Sequence, residues 1–190
     1  MHSPSYSGQV LTTLARDQRL SQLSTVVGVP QGSLVVSPFA LRRALDTALA
    51  QPIGQAAVPP ALIIWAFSAG CVGAAALAAH WQRHRGPVLA LFLVDGWGVP
   101  RDVAIPTHRL SHDRFTHYTS RWLGAGDDDF CAEPAVPHLT LWRQPQAVMG
   151  WVTGTGQTAA DQPSQKLTAA DFLCQRSQAA LGRYRASGIV

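Results

Sequence analysis

Ser68 and Asp95 are the two residues whose type and position could begin a chemical site. Ser68 follows the apolar run Leu62 to Phe67, and Asp95 follows the apolar run Val88 to Val94. Both runs read as buried strands, so the two side chains are expected at equivalent strand ends, on one edge of a sheet. A serine hydroxyl is inert at neutral pH until a base takes its proton, so Ser68 means little without a histidine. His138 opens the segment HLTLWRQP, which reads as the start of a helix. A second group, His108, His112, Asp113 and His117, has partial helical spacing. His108 would lie beside His112 and Asp113 beside His117, a set that could hold zinc. His112 and His117 do not share one face, however, and Arg109 and Arg114 would compete with a cation. These residues are therefore expected as polar lid residues over a pocket, with no metal and no cofactor.

The elements that must position these side chains can be read in order. Ser7 can cap a helix from about Gln9 to Leu23, where Val10, Leu11, Leu14 and Leu20 form an apolar stripe. Leu34 to Val36 is a short strand candidate. Ser37 with Pro38 is a strong helix start, a capping hydroxyl before a proline at the first helical position, and predicts a helix to about Ala50. After a proline- and glycine-rich loop from Gln51 to Pro60, Leu62 to Phe67 is a strand and Gly70 to about Arg85 a helix. Val88 to Val94 is a second strand. Strands alternating with helices at this spacing pair in parallel through crossovers and give an α/β sheet, whose ligands sit beyond the carboxyl ends of the strands. Gly96 to Pro137 turns polar and aromatic without a convincing strand. His138 to about Val152 reads as helical, Thr153 to Gln165 as a flexible linker, and Thr168 with Asp171 starts a last helix to about Arg185. Residues 1–152 are thus expected to form the main domain, 153–167 a linker, and 168–190 a C-terminal helix and tail.

Composition narrows the class. With 190 residues, 47% of them hydrophobic and 14% charged, the chain can bury a substantial core and is not a disordered segment. All but one of its 15 basic side chains are arginines, scattered along the chain, so the net charge of +4 forms no patch for nucleic acid. Cys71, Cys131 and Cys174 are odd in number and widely spaced, which excludes a complete disulfide framework and favours a reduced, cytoplasmic setting. The N-terminal MHSPSYSGQV lacks the basic and then apolar regions of a secretory signal.

The stretch from Ala61 to Ala79 carries no charge and no histidine, and on length alone a membrane span near residues 61–81 is a competing reading. Its first part is bulky and β-branched, while its second is nearly all alanine, glycine and valine. That split matches a change of period from strand to helix better than a lipid-facing span, and membrane association is not expected.

Ala66-Phe67-Ser68-Ala69-Gly70 resembles the Gly-x-Ser-x-Gly nucleophile elbow of the α/β-hydrolase superfamily, with alanine in place of the first glycine. Small residues flank the serine in that motif because strand and helix backbones nearly touch. His138 through Pro145, followed by Val148 and Trp151, resembles the C-terminal segment in which the family's catalytic histidine precedes a helix. The resemblance covers about Leu34 to Val152. It implies a three-layer sandwich with a short, mostly parallel sheet and a serine hydrolase acting on a small-molecule or acyl ester or thioester. Ser68 would be the nucleophile, His138 the base, and the Ala69 N–H half of the oxyanion hole. Asp95 is the preferred acid, with Asp113 and the run Asp127, Asp128, Asp129 as alternatives; that run is expected in a solvated loop. His2 to Gly8 is the candidate remnant of the loop carrying the second oxyanion donor. A non-catalytic binding or scaffold member of the same fold is the alternative function. Trp97, Trp122, Trp142 and Trp151 are expected in the core or the pocket wall.

Overall fold

The structure, a computed structural model, describes residues 33–49, 60–154 and 165–188, with the isolated positions 8, 10, 12, 20, 27 and 28. The helix expected from about Gln9 to Leu23, the loop Gln51 to Pro60, most of the linker and the segment His2 to Gly8 therefore lie outside the described residues or largely so.

Ser33–Val36 forms a single turn of 3₁₀ helix rather than the expected strand. Its backbone lies directly on the helix that follows Ser68: a Cβ on Gly73 would sit 2.3 Å from the Val35 carbonyl oxygen. That approach, together with the helix beginning two residues later, leaves no extended segment to pair. Helix α1, Pro38–Leu49, starts where Ser37 Oγ accepts the Ala40 N–H at 3.3 Å, and it buries Leu41 and Leu45. Strand β1, Leu62–Phe67, helix α2, Gly70–His84, and strand β2, Val88–Val94, follow as the apolar pattern predicts. Helix α2 buries Cys71, Ala74, Ala78 and Trp81 along one stripe, the spacing of a helix face turned to a core. Among the described residues no helix is long and apolar enough to cross a membrane; the span near 61–81 resolves into β1, a turn and α2.

The polar region contains two strands that its composition conceals, β3, Thr107–Ser111, and β4, Asp128–Ala132, with helix α3, Arg114–Arg121, between them. Asp113 caps α3 by accepting the Thr116 N–H at 2.7 Å. The helix begun at His138 is short: α4 is His138–Arg143, not a helix to Val152. Gln144 leaves the helical region because proline follows it, and Met149–Gly154 is strand β5. Strand β6, Gln165–Thr168, leads into helix α5, Ala169–Ala186, whose first turn is capped by Thr168 Oγ1 accepting the Asp171 N–H.

The six strands lie in sequence order. β1 to β4 pair in parallel, whereas β5 and β6 are antiparallel to their neighbours, so the sheet is mixed rather than mostly parallel. A six-residue helix such as α4 rises only about 9 Å, while a five-residue strand such as β4 spans about 17 Å. The chain therefore re-enters the sheet from the edge at which β4 left it, and that is the edge of the candidate site.

Every residue of β2 except Leu89 is buried, and its alternation divides two cores. Leu91 and Leu93 face α1 and α2 with Leu41, Leu45, Leu77 and Trp81. Ala90, Phe92 and Val94 face the other side with Phe130, Leu141, Val152, Phe172 and Leu173. Helices thus cover both faces, the condition under which a parallel strand can be apolar throughout. Because Phe172, Leu173 and Ala180 of α5 belong to the second core, the C-terminal helix is integral to the sheet domain.

Candidate active site

Among the described residues, Ser68 and Asp95 are the only non-glycine positions with positive φ, at 54° and 51°. They occupy equivalent places. Ser68 N–H donates to the Val94 carbonyl and Asp95 N–H to the Leu110 carbonyl, both at 2.8 Å, one step beyond the end of β1 and β2. Left-handed backbone costs an ordinary residue about 1 kcal/mol or more. Here the last ladder bond on one side and, for Ser68, its carbonyl accepting the Cys71 N–H at 3.0 Å on the other hold the turn. The result is a sharp strand-to-helix corner with Ser68 half-buried at its tip and Ala69 exposed at the start of α2. The Cys71 and Val72 N–H groups donate to the Ser68 and Ala69 carbonyls, and the Ala69 N–H lies just before them, next to Ser68 at the start of α2.

His138 is brought to the same edge by α4. Its Nε2 lies 3.2 Å from Ser68 Oγ and its Nδ1 lies 2.7 Å from Asp95 Oδ2. Phe67, the last residue of β1, stacks on the His138 ring with centroids 4.7 Å apart and also on Trp142, one helical turn further along α4, at 5.3 Å. The Asp95 side chain is 1% exposed, and both oxygens are occupied: Oδ1 accepts the His112 N–H at 2.9 Å, and Oδ2 lies 3.0 Å from His112 Nδ1 as well as beside His138. A buried carboxylate is tolerated when donors surround it in this way.

The alternative acids lie elsewhere. Asp113 caps α3 and touches His112 Nε2 at 3.4 Å. Asp127 pairs with Arg101 and accepts the Thr107 N–H, and Asp128 pairs with Arg176 at 2.8 Å. Asp129 is buried and accepts the Gly126 and Arg109 N–H groups; burial raises its pKa above the usual carboxylate range. Asp128 and Asp129 thus belong to β4 and Asp127 to the bend just before it, rather than all three to a solvated loop, because each carboxylate finds a cation or a backbone donor.

Two of the expected lid histidines are core residues. His108 stacks on Phe92 at 5.0 Å and meets Phe172 edge-on, and burial lowers its pKa. His117 is buried in α3, and burial with Arg121 nearby takes it down to about 4. Only His112 reaches the site. Its proximity to Asp95 escaped the sequence because it depends on β3 ending at Ser111, the same one-step offset that places Ser68 and Asp95. Trp97 and Trp122 are largely exposed, not core, whereas Trp142 forms the site wall behind Phe67.

Cysteine chemistry does not compete with the serine at Cys71 or Cys131. Burial pushes the Cys71 thiol far above its ordinary range and that of Cys131 up to about 11, so neither is a thiolate at neutral pH. A groove of about 560 Å³ runs between α2 and the loop before β3, lined by Val72, Ala75, Ala76, Val99, Val103 and Ile105. It touches none of Ser68, Asp95 or His138. No protein-family model matches the chain, no curated protein matches it, and no solved structure matches it.

Proposed function

We propose that the chain is an α/β-hydrolase-like serine hydrolase that cleaves an ester or thioester of a small-molecule or acyl substrate. The observation that carries the reading is the continuous relay from Ser68 Oγ through His138 to Asp95, at 3.2 and 2.7 Å, with the serine held at a strained corner. In this reading His138 Nδ1–H donates to Asp95 Oδ2, which leaves Nε2 with a lone pair facing the serine hydroxyl. Ser68 Oγ attacks the substrate carbonyl as its proton passes to Nε2, and Asp95 stabilises the imidazolium that forms. The Ala69 N–H donates to the oxygen that gains charge. His138 then returns its proton to the leaving alcohol or thiol, and a water activated by the same nitrogen releases the acid. The order serine, aspartate, histidine along the chain and the helices on both sheet faces support the family resemblance; the antiparallel β5 and β6 are this chain's departure from a parallel sheet.

Turnover of short acyl p-nitrophenyl esters and acyl thioesters tests the reading. Wild type should hydrolyse at least one, and His138→Ala should lower kcat/KM by roughly 10⁴-fold or more, as removal of a base acting in concert with its nucleophile does. Equal activity of the two proteins would overturn it.

A further inference from the structure

We propose that Asp95, His112 and His138 also form a site for a single divalent transition-metal ion, zinc by preference, and that its occupancy switches the serine off. One ligand atom from each of these residues lies within 4.8 Å of the others. The carboxylate oxygen Oδ2 of Asp95 is 2.7 Å from His138 Nδ1 and 3.0 Å from His112 Nδ1. Zinc binds imidazole nitrogen and carboxylate oxygen at about 2.0–2.2 Å, so ligand atoms around a tetrahedral ion are about 3.3 Å apart. The His138 and His112 nitrogens need to open from the carboxylate by about 0.6 and 0.3 Å.

Three further observations favour a metal over a purely hydrogen-bonded cluster. His112 Nδ1 is buried yet has no hydrogen bond of acceptable direction, despite its short distance to Asp95. A lone pair directed at a shared ion would satisfy it. Its other nitrogen, Nε2, lies 3.4 Å from Asp113 Oδ2, the carboxylate–histidine arrangement that orients metal-bound imidazoles and raises their basicity. The arginines that flank this segment in sequence do not compete: Arg114 pairs with Glu133 at 3.0 Å, and Arg109 is committed to the carbonyls of Val99 and Gly124.

The inhibitory consequence, which rests on the hydrolase reading, follows from proton placement. As a base, His138 carries its proton on Nδ1 and presents a lone pair from Nε2 to Ser68. A metal on Nδ1 moves that proton to Nε2. The imidazole then donates to Ser68 Oγ and cannot accept from it.

The test begins with chelator-treated protein in a non-coordinating buffer, titrated with zinc chloride by calorimetry and with cobalt(II) followed by visible absorption. Wild type should bind one ion per chain with the cobalt spectrum of a four-coordinate nitrogen–oxygen site. His112→Gln should weaken binding about a hundredfold. Asp113→Asn, which keeps a capping acceptor for α3 and so should fold even if the first variant does not, should weaken it about tenfold. Ser68→Ala should bind as wild type does. Absence of saturable binding, or binding unaffected by the His112 and Asp113 changes, overturns the proposal; in the second case the neighbouring pair His80 and His84 on α2, with ring centroids 4.7 Å apart, is the alternative site indicated. One equivalent of zinc should also block fluorophosphonate labelling of wild type. If metal-free wild type does not label at all, the hydrolase reading falls while the calorimetry still decides the metal site.

Discussion

Asp95→Asn is the substitution that isolates proton placement from packing. The two side chains have the same shape, and Asp95 is 1% exposed, so the variant fits the same buried space. The amide oxygen can keep the His112 N–H bond made by Oδ1 at 2.9 Å. The amide NH₂ then occupies the place of Oδ2, 2.7 Å from His138 Nδ1, and it donates where the carboxylate accepted. His138 must meet it with a lone pair on Nδ1, which puts the ring proton on Nε2, facing Ser68 at 3.2 Å. The base is lost without loss of any catalytic side chain. Where this swap reverses a histidine tautomer in a serine triad, turnover falls by about 10⁴-fold, equivalent to about 5 kcal/mol of transition-state stabilisation. The assay is the second-order rate of fluorophosphonate labelling together with ester turnover, on protein whose circular dichroism and urea midpoint show that it is folded. A folded variant that labels within about tenfold of wild type would refute the assignment of Asp95.

His117 titrates at about 4 when folded because burial and Arg121 oppose its charge. Between pH 6.5 and 4 the unfolded chain therefore binds a proton that the folded chain refuses, and stability falls as pH drops through that window. His117→Gln should remove roughly 2 to 3 kcal/mol of the loss between pH 7 and 4.5, read from urea unfolding; parallel pH profiles would contradict this. Gly73→Ala places a Cβ 2.3 Å from the Val35 carbonyl oxygen and 2.9 Å from Leu41 Cδ1. It should destabilise by about 1–3 kcal/mol although alanine is the better helix former, and an unchanged or raised urea midpoint would argue against that packing. The Cys71 thiol, buried under Val94, should resist iodoacetamide at neutral pH in native protein and react in urea; rapid native alkylation would show that α2 is not seated as described.

The legible part of this fold is the part whose apolar pattern changes period. Leu62 to Phe67 is bulky and β-branched, and the residues after Gly70 are small, so the strand, the corner and the helix all follow from side-chain size. Asp95 was legible for the same reason, as the first polar residue after VLALFLV. β3 and β4 were not. THRLS is buried throughout, but Arg109 Nε and Nη2 donate to the Gly124 and Val99 carbonyls and Asp129 accepts two backbone N–H groups. Apart from Gly126, these partners lie 10 to 20 residues away, and hydrophobic periodicity cannot reveal them. Missing β3 hid the approach of His112 to Asp95. The helix expected from His138 to about Val152 is overlong because Pro145 disfavours helical backbone at Gln144 and ends α4 at Arg143.

The central claim is that Ser68 is an activated nucleophile, and intact-mass analysis after fluorophosphonate treatment tests it most directly. Metal-free wild type should gain one adduct per chain, peptide mapping should place it on Ser68, and Ser68→Ala should gain none. An unmodified wild type, or an adduct that persists in Ser68→Ala, would contradict the account.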